Sequence, residues 1–344
     1  MRATPSVSVV IPNYNGAAFL KTCLASLARQ TRAPLEILVV DNASEDDSVE
    51  VARRMIPSAV ILDQKRNLGF AGAVNAGIRA ARGDWIAVLN NDTEVTDGWL
   101  ETAVDALGRH PEAAFIACRI LEFENRNRLY SAGDCFLRIG VGYRRGQELR
   151  DAPMYREEIE IFSAGGCAAL YRKSVLEELQ GFDSKLFAYL EDVDLGLRLQ
   201  AAGYRGYYAP QSAVFHRGGG TSGGESSPLA VRLRTRNSLV LLMQSLPAGI
   251  LFRCLPMIFA GQASWLARVI AWRRLGSYLR GLAGVVPLLP AALKHRRTIR
   301  PAWKAAPERL WQAILESETM ARKDFISNGS EPRSTFLTWY FRWF

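Results

Sequence analysis

Residues 83–93 read GDWIAVLNNDT. The apolar run Trp85–Leu89 follows a glycine and an acid, and it leads directly into Asn90, Asn91 and Asp92. A short apolar run bounded in this way predicts a central strand that is buried on both faces. Because the carboxyl end of such a strand reaches the crevice of an open α/β sheet, the three polar side chains are expected to face a ligand.

The three polar residues also predict a cation site. Carboxylate and amide oxygens are hard ligands, and hard ligands suit Mg²⁺ or Mn²⁺ held together with a substrate diphosphate. The alternative is a turn in which these side chains cap the backbone before the helix predicted after Asp97. This stretch alone leaves both interpretations open.

Strands and helices are predicted to alternate along the amino-terminal part of the chain. Apolar runs at 7–11, 35–40 and 59–62 each end in a polar loop, and a helical pattern follows each loop. Further along, a short strand is predicted at 205–208. Such alternation is typical of an α/β fold with a doubly wound, mostly parallel sheet.

Asp41 ends the second strand, where a dinucleotide-binding dehydrogenase would hold a ribose. That class of enzyme also requires a GxGxxG turn after the first strand, to bring a pyrophosphate to a helix N-terminus. The turn at 12–16 reads PNYNG and contains a single glycine. The sequence therefore argues against a dehydrogenase.

The apolar periodicity is less regular between 118 and 161, where strands and loops are predicted without a clear helix. A regular pattern begins again at Gly165 and Gly166, which precede a predicted strand of small residues. A glycine pair could let a second substrate lie against the backbone, or it could form a β-bulge or tight turn.

Glu191, Asp192 and Asp194 lie at the start of a helix predicted from about Leu190. Acids favour a helix N-terminus for electrostatic reasons, which is the structural explanation. Three acids in four residues exceed what capping requires, so Glu191 and Asp192 are candidates for a base that accepts a proton from a hydroxyl. The helix dipole is expected to keep such an acid ionised at neutral pH.

His216 precedes a loop rich in glycine and hydroxyl residues at 218–224. A single histidine commonly makes a structural hydrogen bond. The loop composition, with Arg217 beside the histidine, instead suits phosphate oxygens and closure over a substrate. Both interpretations stay open.

Composition is that of a globular protein. The chain has 344 residues, 49% hydrophobic and 22% charged, and its five cysteines show no CxxC spacing. Unclustered cysteines predict a reducing compartment rather than a disulfide framework or a zinc site. Because the N-terminus enters a strand at once, no signal peptide is predicted.

Positive charge is concentrated in one segment. Residues 226–307 contain thirteen Lys or Arg and no acid, which leaves 30 basic and 34 acidic residues elsewhere. The apolar runs at 239–252, 254–267 and 281–293 are each interrupted by a basic residue before reaching spanning length. They predict helices in a membrane interface, drawn to anionic lipid. Nucleic acid is the alternative partner, but such long apolar runs argue against it.

The aromatic end of the chain, 336–344, is predicted to be a second membrane anchor or a contact in a homo-oligomer.

Several motifs, in this order, resemble those of one enzyme family: VIPNYNG, VDNASEDDS, NLGFAGAVNAGI, LNNDT, GFD followed by EDxD, and FHRGG. Between Val7 and Asn237 the chain resembles the inverting family 2 glycosyltransferases with a GT-A fold, in particular their rhamnosyltransferase-like branch. The resemblance divides the chain into a catalytic domain at 1–237 and a basic, helical, membrane-associating region at 238–344.

The resemblance also implies roles for individual residues. Pro12, Tyr14 and Asp41 would hold the nucleoside, with Asp41 on the base, while Asn67 and Gly69 would border the nucleotide. Asn91 would line the same donor site. Asp92 would bind Mg²⁺ or Mn²⁺, with His216 as a further ligand of the metal or diphosphate, and Asp192 would be the general base. Many members carry an acid where this chain has Asn90, so a single carboxylate is left for the metal.

The function expected from these roles is transfer of a sugar, with dTDP-rhamnose as the favoured donor, to a polyprenyl-linked glycan at the cytoplasmic face of a bacterial inner membrane. Two alternatives remain. A nucleotidyltransferase that makes sugar nucleotides would need a glycine-rich turn with Arg and Lys after the first strand, which is missing. A silent scaffold would lack Asp92 and Asp192.

Overall fold

The computed structural model describes residues 4–219, 223–327 and 334–343. Its amino-terminal part is a series of strand and helix units, as predicted. The elements are β1 (Val7–Asn13), α1 (Ala17–Ala28), β2 (Glu36–Asp41), α2 (Ser48–Met55), β3 (Val60–Asp63), α3 (Gly69–Ala80) and β4 (Trp85–Leu89). Every residue of β4 is buried, which confirms the prediction of a central strand.

The middle of the chain consists of short strands and three helices. They are β5 (Thr93–Val95), α4 (Trp99–Arg109), β6 (Phe115–Glu122), β7 (Leu129–Ser131), β8 (Asp134–Leu137), β9 (Val141–Arg144), β10 (Ile159–Glu160), β11 (Ala168–Arg172), α5 (Lys173–Glu178), α6 (Glu191–Ala201) and β12 (Gly206–His216). The strand predicted at 205–208 is too short, because β12 continues past a register shift between Ala209 and Ala213 as far as His216.

The main sheet has ten strands. Its order is β10-β12-β6-β11-β4-β1-β2-β3, with β5 added to β12 and β7 to β6. The strands β4, β1, β2 and β3 are parallel, whereas β11 is antiparallel to both β4 and β6. The carboxyl ends of β1, β2 and β4 therefore meet at one edge of the sheet, which is where the polar motifs begin.

Helices cover both faces of the sheet because successive residues of a buried strand point to opposite sides. In β1, Val9 belongs to the core that includes Leu24 of α1 and Trp99 of α4. The next residue, Val10, belongs to the core that includes Val74 of α3. Full burial of such side chains stabilises the fold by about 1.5–3 kcal/mol each. The predicted doubly wound α/β architecture is confirmed.

The carboxyl-terminal part is helical, as predicted. It contains α7 (Pro228–Ser245), α8 (Ala248–Ala271), α9 (Leu275–Ala283), α10 (Leu289–Ile299), α11 (Pro307–Ser327) and α12 (Thr335–Trp343). The predicted boundary between 237 and 238 falls inside α7, and the division into two domains stays a prediction. In α12, Tyr340 and Phe341 are buried in the core, whereas Trp343 is exposed. The last residue of the aromatic end, position 344, lies outside the described residues.

Among the described residues, two helical segments are long and apolar enough to cross a membrane, by length and composition only. They are Ala248–Ala271, and Leu275–Ala302, which contains α9 and α10. The prediction that no segment reaches spanning length is therefore wrong, because α8 continues through Arg253 and Pro256 without a break. Of the most apolar 18 residues, 22% in the first segment and 17% in the second are buried, so most residues there are at least partly exposed.

All five cysteines are buried and free.

Candidate active site

A cavity of about 1170 Å³ lies at the carboxyl edge of β1, β2 and β4. Nearly all of the candidate site residues line it: Pro12, Tyr14, Asn67, Gly69, Asn91, Asp92, Glu191, Asp192 and His216. Asp92 and Asp192, which are a hundred positions apart in the sequence, thus face one space. Of the predicted residues, Asp41 alone is missing from the cavity wall.

Asp41 lies behind the wall, where it supports a row of amides. Its Oδ1 accepts a hydrogen bond from Asn13 Nδ2 at 3.1 Å, and its Oδ2 accepts one from the Ser44 amide at 3.0 Å. Asn13 Oδ1 in turn accepts a bond from Asn91 Nδ2 at 2.7 Å. The carboxylate therefore orients Asn13, which orients Asn91 at the cavity.

A second set of amide contacts fixes the loop that begins α3. Asn67 Oδ1 accepts bonds from Asn42 Nδ2 at 2.9 Å and from the Gly69 amide at 2.8 Å. Gly69 has a left-handed φ of +72°, and a side chain there would collide with the Phe187 carbonyl. Only glycine fits this position without strain, since it has no Cβ.

Asp92 and His216 form a buried pair. The pairing of β5 with β12 sets His216 opposite Thr93, so the histidine reaches the end of β4. His216 Nε2 lies 3.1 Å from Asp92 Oδ1, and the two side chains are 5% and 7% exposed. Burial disfavours the charged imidazole, but the interactions with Cys167 and Asp92 raise the pKa of His216 well above its ordinary value.

The donor atoms at this pair suit a divalent cation that arrives with a diphosphate. Among the described residues, no cluster of three or more His, Cys, Asp or Glu side chains could hold a metal alone. Asp92 and His216 supply one carboxylate and one imidazole. Mg²⁺ is commonly held by one or two carboxylates together with substrate phosphates, so this small set fits a shared site. Asn90, also in the cavity wall, has an Oδ1 without a hydrogen-bond partner among the described residues.

The acids at the start of α6 have separate environments. Asp192 Oδ2 accepts a hydrogen bond from the Gly166 amide at 3.0 Å, and Oδ1 accepts one from the Val193 amide at 2.8 Å. Glu191 is 6% exposed, and its Oε2 has no hydrogen-bond partner among the described residues. Burial and the negative charges of Asp192 and Asp194 raise the pKa of Glu191 to about 8.

The expectation that the helix dipole keeps Glu191 ionised is therefore wrong, because burial outweighs the dipole. Asp194, the third acid, points into the protein, where its Oδ2 pairs with Arg198 at 2.8 Å. Its Oδ1 accepts bonds from Gln244 at 3.0 Å and Ser245 at 2.5 Å. Asp192 is thus the acid of this group that combines cavity access with hydrogen bonds to its charged form.

The loop before Asp192 has an unusual backbone. Phe187, Tyr189 and Leu190 have positive φ angles of 67°, 69° and 68°. Asn237 of α7 holds this loop, since its Nδ2 lies 2.8–2.9 Å from the carbonyls of Leu186, Ala188 and Tyr189.

Sequence reasoning missed Asn13, Asn42, Asp134 and Asn237. The first two are part of the quoted motifs, so their positions beside Pro12 and Asp41 could have indicated a role. Asp134 lies between 118 and 161, where the sequence pattern is irregular, and Asn237 lies on a helix of the basic segment. No local sequence pattern indicates a role for either residue. The part of the glycine-rich loop at 220–222 lies outside the described residues.

Comparisons with known proteins identify the family and the fold. The family described as "Glycosyl transferase family 2" matches residues 8–180, which is half of the chain. The chain is 29% identical over 235 residues to N-acetylglucosaminyl-diphospho-decaprenol L-rhamnosyltransferase of Mycobacterium tuberculosis, covering 62% of this chain and 76% of that protein. It is 30% identical over 229 residues to the O-antigen biosynthesis protein RfbC of Myxococcus xanthus, covering 63% of this chain and 18% of that protein.

The fold is similar to that of GalNAc-T7, whose crystal structure contains UDP, GalNAc and Mn²⁺. The TM-score is 0.60 at 15% identity, and the similarity covers 85% of this chain and 58% of that one. The chain belongs to glycosyltransferase family 2, has the GT-A fold of that family, and is similar within it to rhamnosyltransferases.

Proposed function

We propose that the protein is an inverting glycosyltransferase that moves a sugar from a nucleoside-diphosphate donor to a hydroxyl group of a lipid-linked glycan. The observation that carries this proposal is the cavity shared by Asp92 and Asp192. One acid lies at the end of β4, where a diphosphate with its cation fits. The other faces the space beside Gly165 and Gly166, where a second substrate can lie against the backbone.

The reaction is a single displacement. Asp192 accepts the proton of the acceptor hydroxyl while the hydroxyl oxygen attacks the anomeric carbon, on the face opposite the diphosphate. The new carbon–oxygen bond forms as the bond to the diphosphate oxygen breaks, and its electron pair leaves with the nucleoside diphosphate. Attack from the opposite face inverts the anomeric centre. Glu191 keeps its proton at neutral pH, so Asp192 is the base of this step.

Asp92 and His216 would hold the divalent cation, Mg²⁺ or Mn²⁺. When bound, it offsets the negative charge that develops on the departing diphosphate. Asn90 offers a neutral amide oxygen where many members have an acid, so donor phosphates would supply the remaining negative charge around the cation. Cation binding and donor binding are therefore expected to depend on one another.

Pro12, Tyr14, Asn67, Gly69 and Asn91 would border the nucleoside and diphosphate of the donor. Each oxygen of Asp41 already accepts a hydrogen bond, but a carboxylate oxygen can accept more than one. Recognition of the nucleoside base by Asp41 therefore stays a prediction. The favoured donor is dTDP-rhamnose, because the name of the mycobacterial relative specifies L-rhamnosyl transfer.

The carboxyl-terminal helices and the mycobacterial relative support the proposed acceptor and location. The same relative acts on a decaprenol-linked sugar, and here exposed apolar side chains such as Phe252, Phe259 and Leu279 accompany a segment without acids. Residues 238–344 would bind the anionic cytoplasmic surface of the membrane peripherally, and residues 1–237 would carry the reaction. Exposed Trp339 and Trp343 of α12 would add a further anchor or contact a second copy of the chain.

A panel of sugar nucleotides tests the proposal by calorimetry and thermal unfolding, with Mg²⁺ or Mn²⁺ and with EDTA. We expect dTDP-rhamnose at 100 times its Kd to stabilise the protein by about 2.7 kcal/mol, and EDTA or Asp92→Ala to abolish most of that stabilisation. An exposed acid outside the cavity, Asp105, provides the control variant Asp105→Asn. Binding that is unchanged by EDTA and by Asp92→Ala would refute the cation site, and no binding of any sugar nucleotide would refute the function.

A further inference from the structure

Asp134 is a buried acid in the cavity wall that the reaction above does not use. It is 5% exposed and begins β8. Its amide donates to the Ser163 carbonyl at 3.0 Å, and its carbonyl accepts from the Ser163 amide at 3.1 Å. Its Oδ1 accepts a hydrogen bond from Ser131 Oγ at 2.7 Å. Backbone and side chain are therefore held in one orientation.

The other carboxyl oxygen of Asp134 is open to the cavity. Oδ2 has no hydrogen-bond partner among the described residues, and it lies 3.4 Å from where a Cβ of Gly165 would be. A Cβ of the next residue, Gly166, would lie 3.5 Å from Asp192 Oδ2. One carboxyl oxygen of Asp134 and one of Asp192 thus flank two adjacent glycines. Because glycine has no side chain, the space between the two carboxyl groups is free.

This arrangement is costly without a ligand. A buried carboxyl group beside a second acid loses hydration and is repelled, so burial and the charge of Asp192 raise the pKa of Asp134 to about 7. Ser131 and Arg144 only partly offset these effects. Arg144 pairs with Glu225 at 2.6 Å, and the nearby Tyr171 hydroxyl donates to the Ala164 carbonyl at 3.4 Å. No described residue therefore satisfies the open oxygen.

We propose that Asp134 binds a second hydroxyl of the acceptor sugar, close to the hydroxyl that Asp192 deprotonates. Sugars carry hydroxyls on neighbouring carbons, and two carboxyl groups flanking a glycine pair match such a set. A carboxyl group near its pKa can either accept a hydrogen bond from the hydroxyl or donate one to it. The assignment rests on the proposed function, and it makes Asp134 a determinant of acceptor choice.

The consequence is a defined selectivity. A site built to hydrogen-bond a substrate hydroxyl strongly rejects an analogue that lacks it, because the buried polar group is left without a partner. Wild-type protein should therefore discriminate against one particular deoxy acceptor, and the variant Asp134→Ala, which has no polar side chain at this position, should not.

Steady-state transfer from dTDP-rhamnose to N-acetylglucosaminyl-diphospho-decaprenol, and to analogues lacking one sugar hydroxyl each, tests the assignment. For Asp134→Ala we expect kcat/KM on the full acceptor to fall about tenfold to a hundredfold, mainly through KM. One deoxy analogue should lower kcat/KM of the wild type by a similar factor, and should lower kcat/KM of Asp134→Ala by less than about threefold, because alanine has no polar group to leave without a partner. Asp105→Asn, on the exposed face of α4, should behave as the wild type.

Nucleotide binding by calorimetry establishes that Asp134→Ala is folded. An equal loss on the full acceptor and on every deoxy analogue would overturn the assignment, because it would indicate a structural role. An unchanged KM for the full acceptor would overturn it too. If the wild type transfers to none of these acceptors while Asp92 still binds donor with its cation, the proposed acceptor class fails and the assignment fails with it.

Discussion

At the scale of residues, three acids crowd one wall of the cavity. Asp134, Glu191 and Asp192 are brought together by β8 and the start of α6. Burial and mutual repulsion raise the pKa of Asp134 to about 7 and that of Glu191 to about 8. Each of these two acids therefore binds its proton more tightly in the folded chain than in the unfolded chain.

This crowding predicts how stability depends on pH. Unfolded carboxyl groups titrate near pH 4, so between about pH 4 and 8 the folded chain binds more protons, and stability falls as pH rises through that window. We expect Asp134→Asn to increase the free energy of unfolding at pH 8, on the order of 2 kcal/mol, and to change it far less at pH 4. Denaturant unfolding at both pH values measures the difference. A loss of stability at pH 8 would contradict the prediction.

The sequence predicted a place in the site for residues that adjoin a recognisable strand or helix. Asp92 follows a buried strand and Asp192 begins a helix, and both line the cavity. It did not predict that Asp41 lies behind the cavity wall, because no linear pattern indicates that Asn13 and Ser44 donate hydrogen bonds to this carboxylate. The sequence also did not predict that Asp134 lines the cavity, because the position of Asp134 depends on its pairing with Ser163, which is distant in the chain.

At the scale of elements, α7 holds the loop that leads to Asp192. Three residues of that loop have left-handed φ angles, a conformation that costs a non-glycine residue on the order of 1 kcal/mol or more. Asn237 contacts three of the loop carbonyls, and Arg236 Nη2 donates to the Lys185 carbonyl at 3.1 Å and to the Leu186 carbonyl at 2.8 Å. The helix thereby maintains a backbone that the loop would not keep alone.

Asn237→Ala is therefore expected to impair transfer by at least about tenfold and to destabilise the fold by about 1–3 kcal/mol, since buried carbonyls lose their donor. Donor binding should change less than turnover, because Asn237 does not line the cavity. Ser238→Ala, which removes another buried hydrogen bond of the same helix, is the matched control. Wild-type turnover in Asn237→Ala would contradict the role of α7.

Periodicity predicted the strand and helix units of the amino-terminal part because each unit buries a regular apolar pattern. It could not predict that α7 supports the active site. Asn237 and Gln244 are single polar residues on a helix in a basic segment, and their partners Tyr189 and Asp183 lie far away in the sequence. The apolar pattern also underestimates the length of α8, because Arg253 interrupts that pattern without ending the helix.

At the scale of the whole molecule, charge and apolar surface are concentrated in the same segment. Residues 226–307 contain no acid, and Phe252 and Phe259 are 69% and 70% exposed. A basic surface with exposed aromatic side chains suits an anionic membrane, to which each basic residue near the surface adds about 1 kcal/mol.

We expect the wild type to float with vesicles containing anionic lipid and to bind less to neutral vesicles or at high salt. Phe252→Glu combined with Phe259→Glu should weaken binding at least about tenfold, because two apolar contacts are replaced by charges that anionic lipid repels. Leu35→Glu changes an exposed apolar residue of the sheet domain, and it should bind as the wild type. Protein that stays soluble with every vesicle would refute the membrane role.

The joint action of Asp92 and Asp192 is tested most directly by single-turnover transfer in Asp192→Asn, with donor binding measured on the same preparation. We predict that transfer falls by at least about a hundredfold, as expected for loss of a general base. Donor affinity should stay within about twofold of the wild type, because Asp92 and the amide residues are untouched. Transfer at a near-normal rate, or loss of donor binding together with transfer, would contradict the assignment of the base.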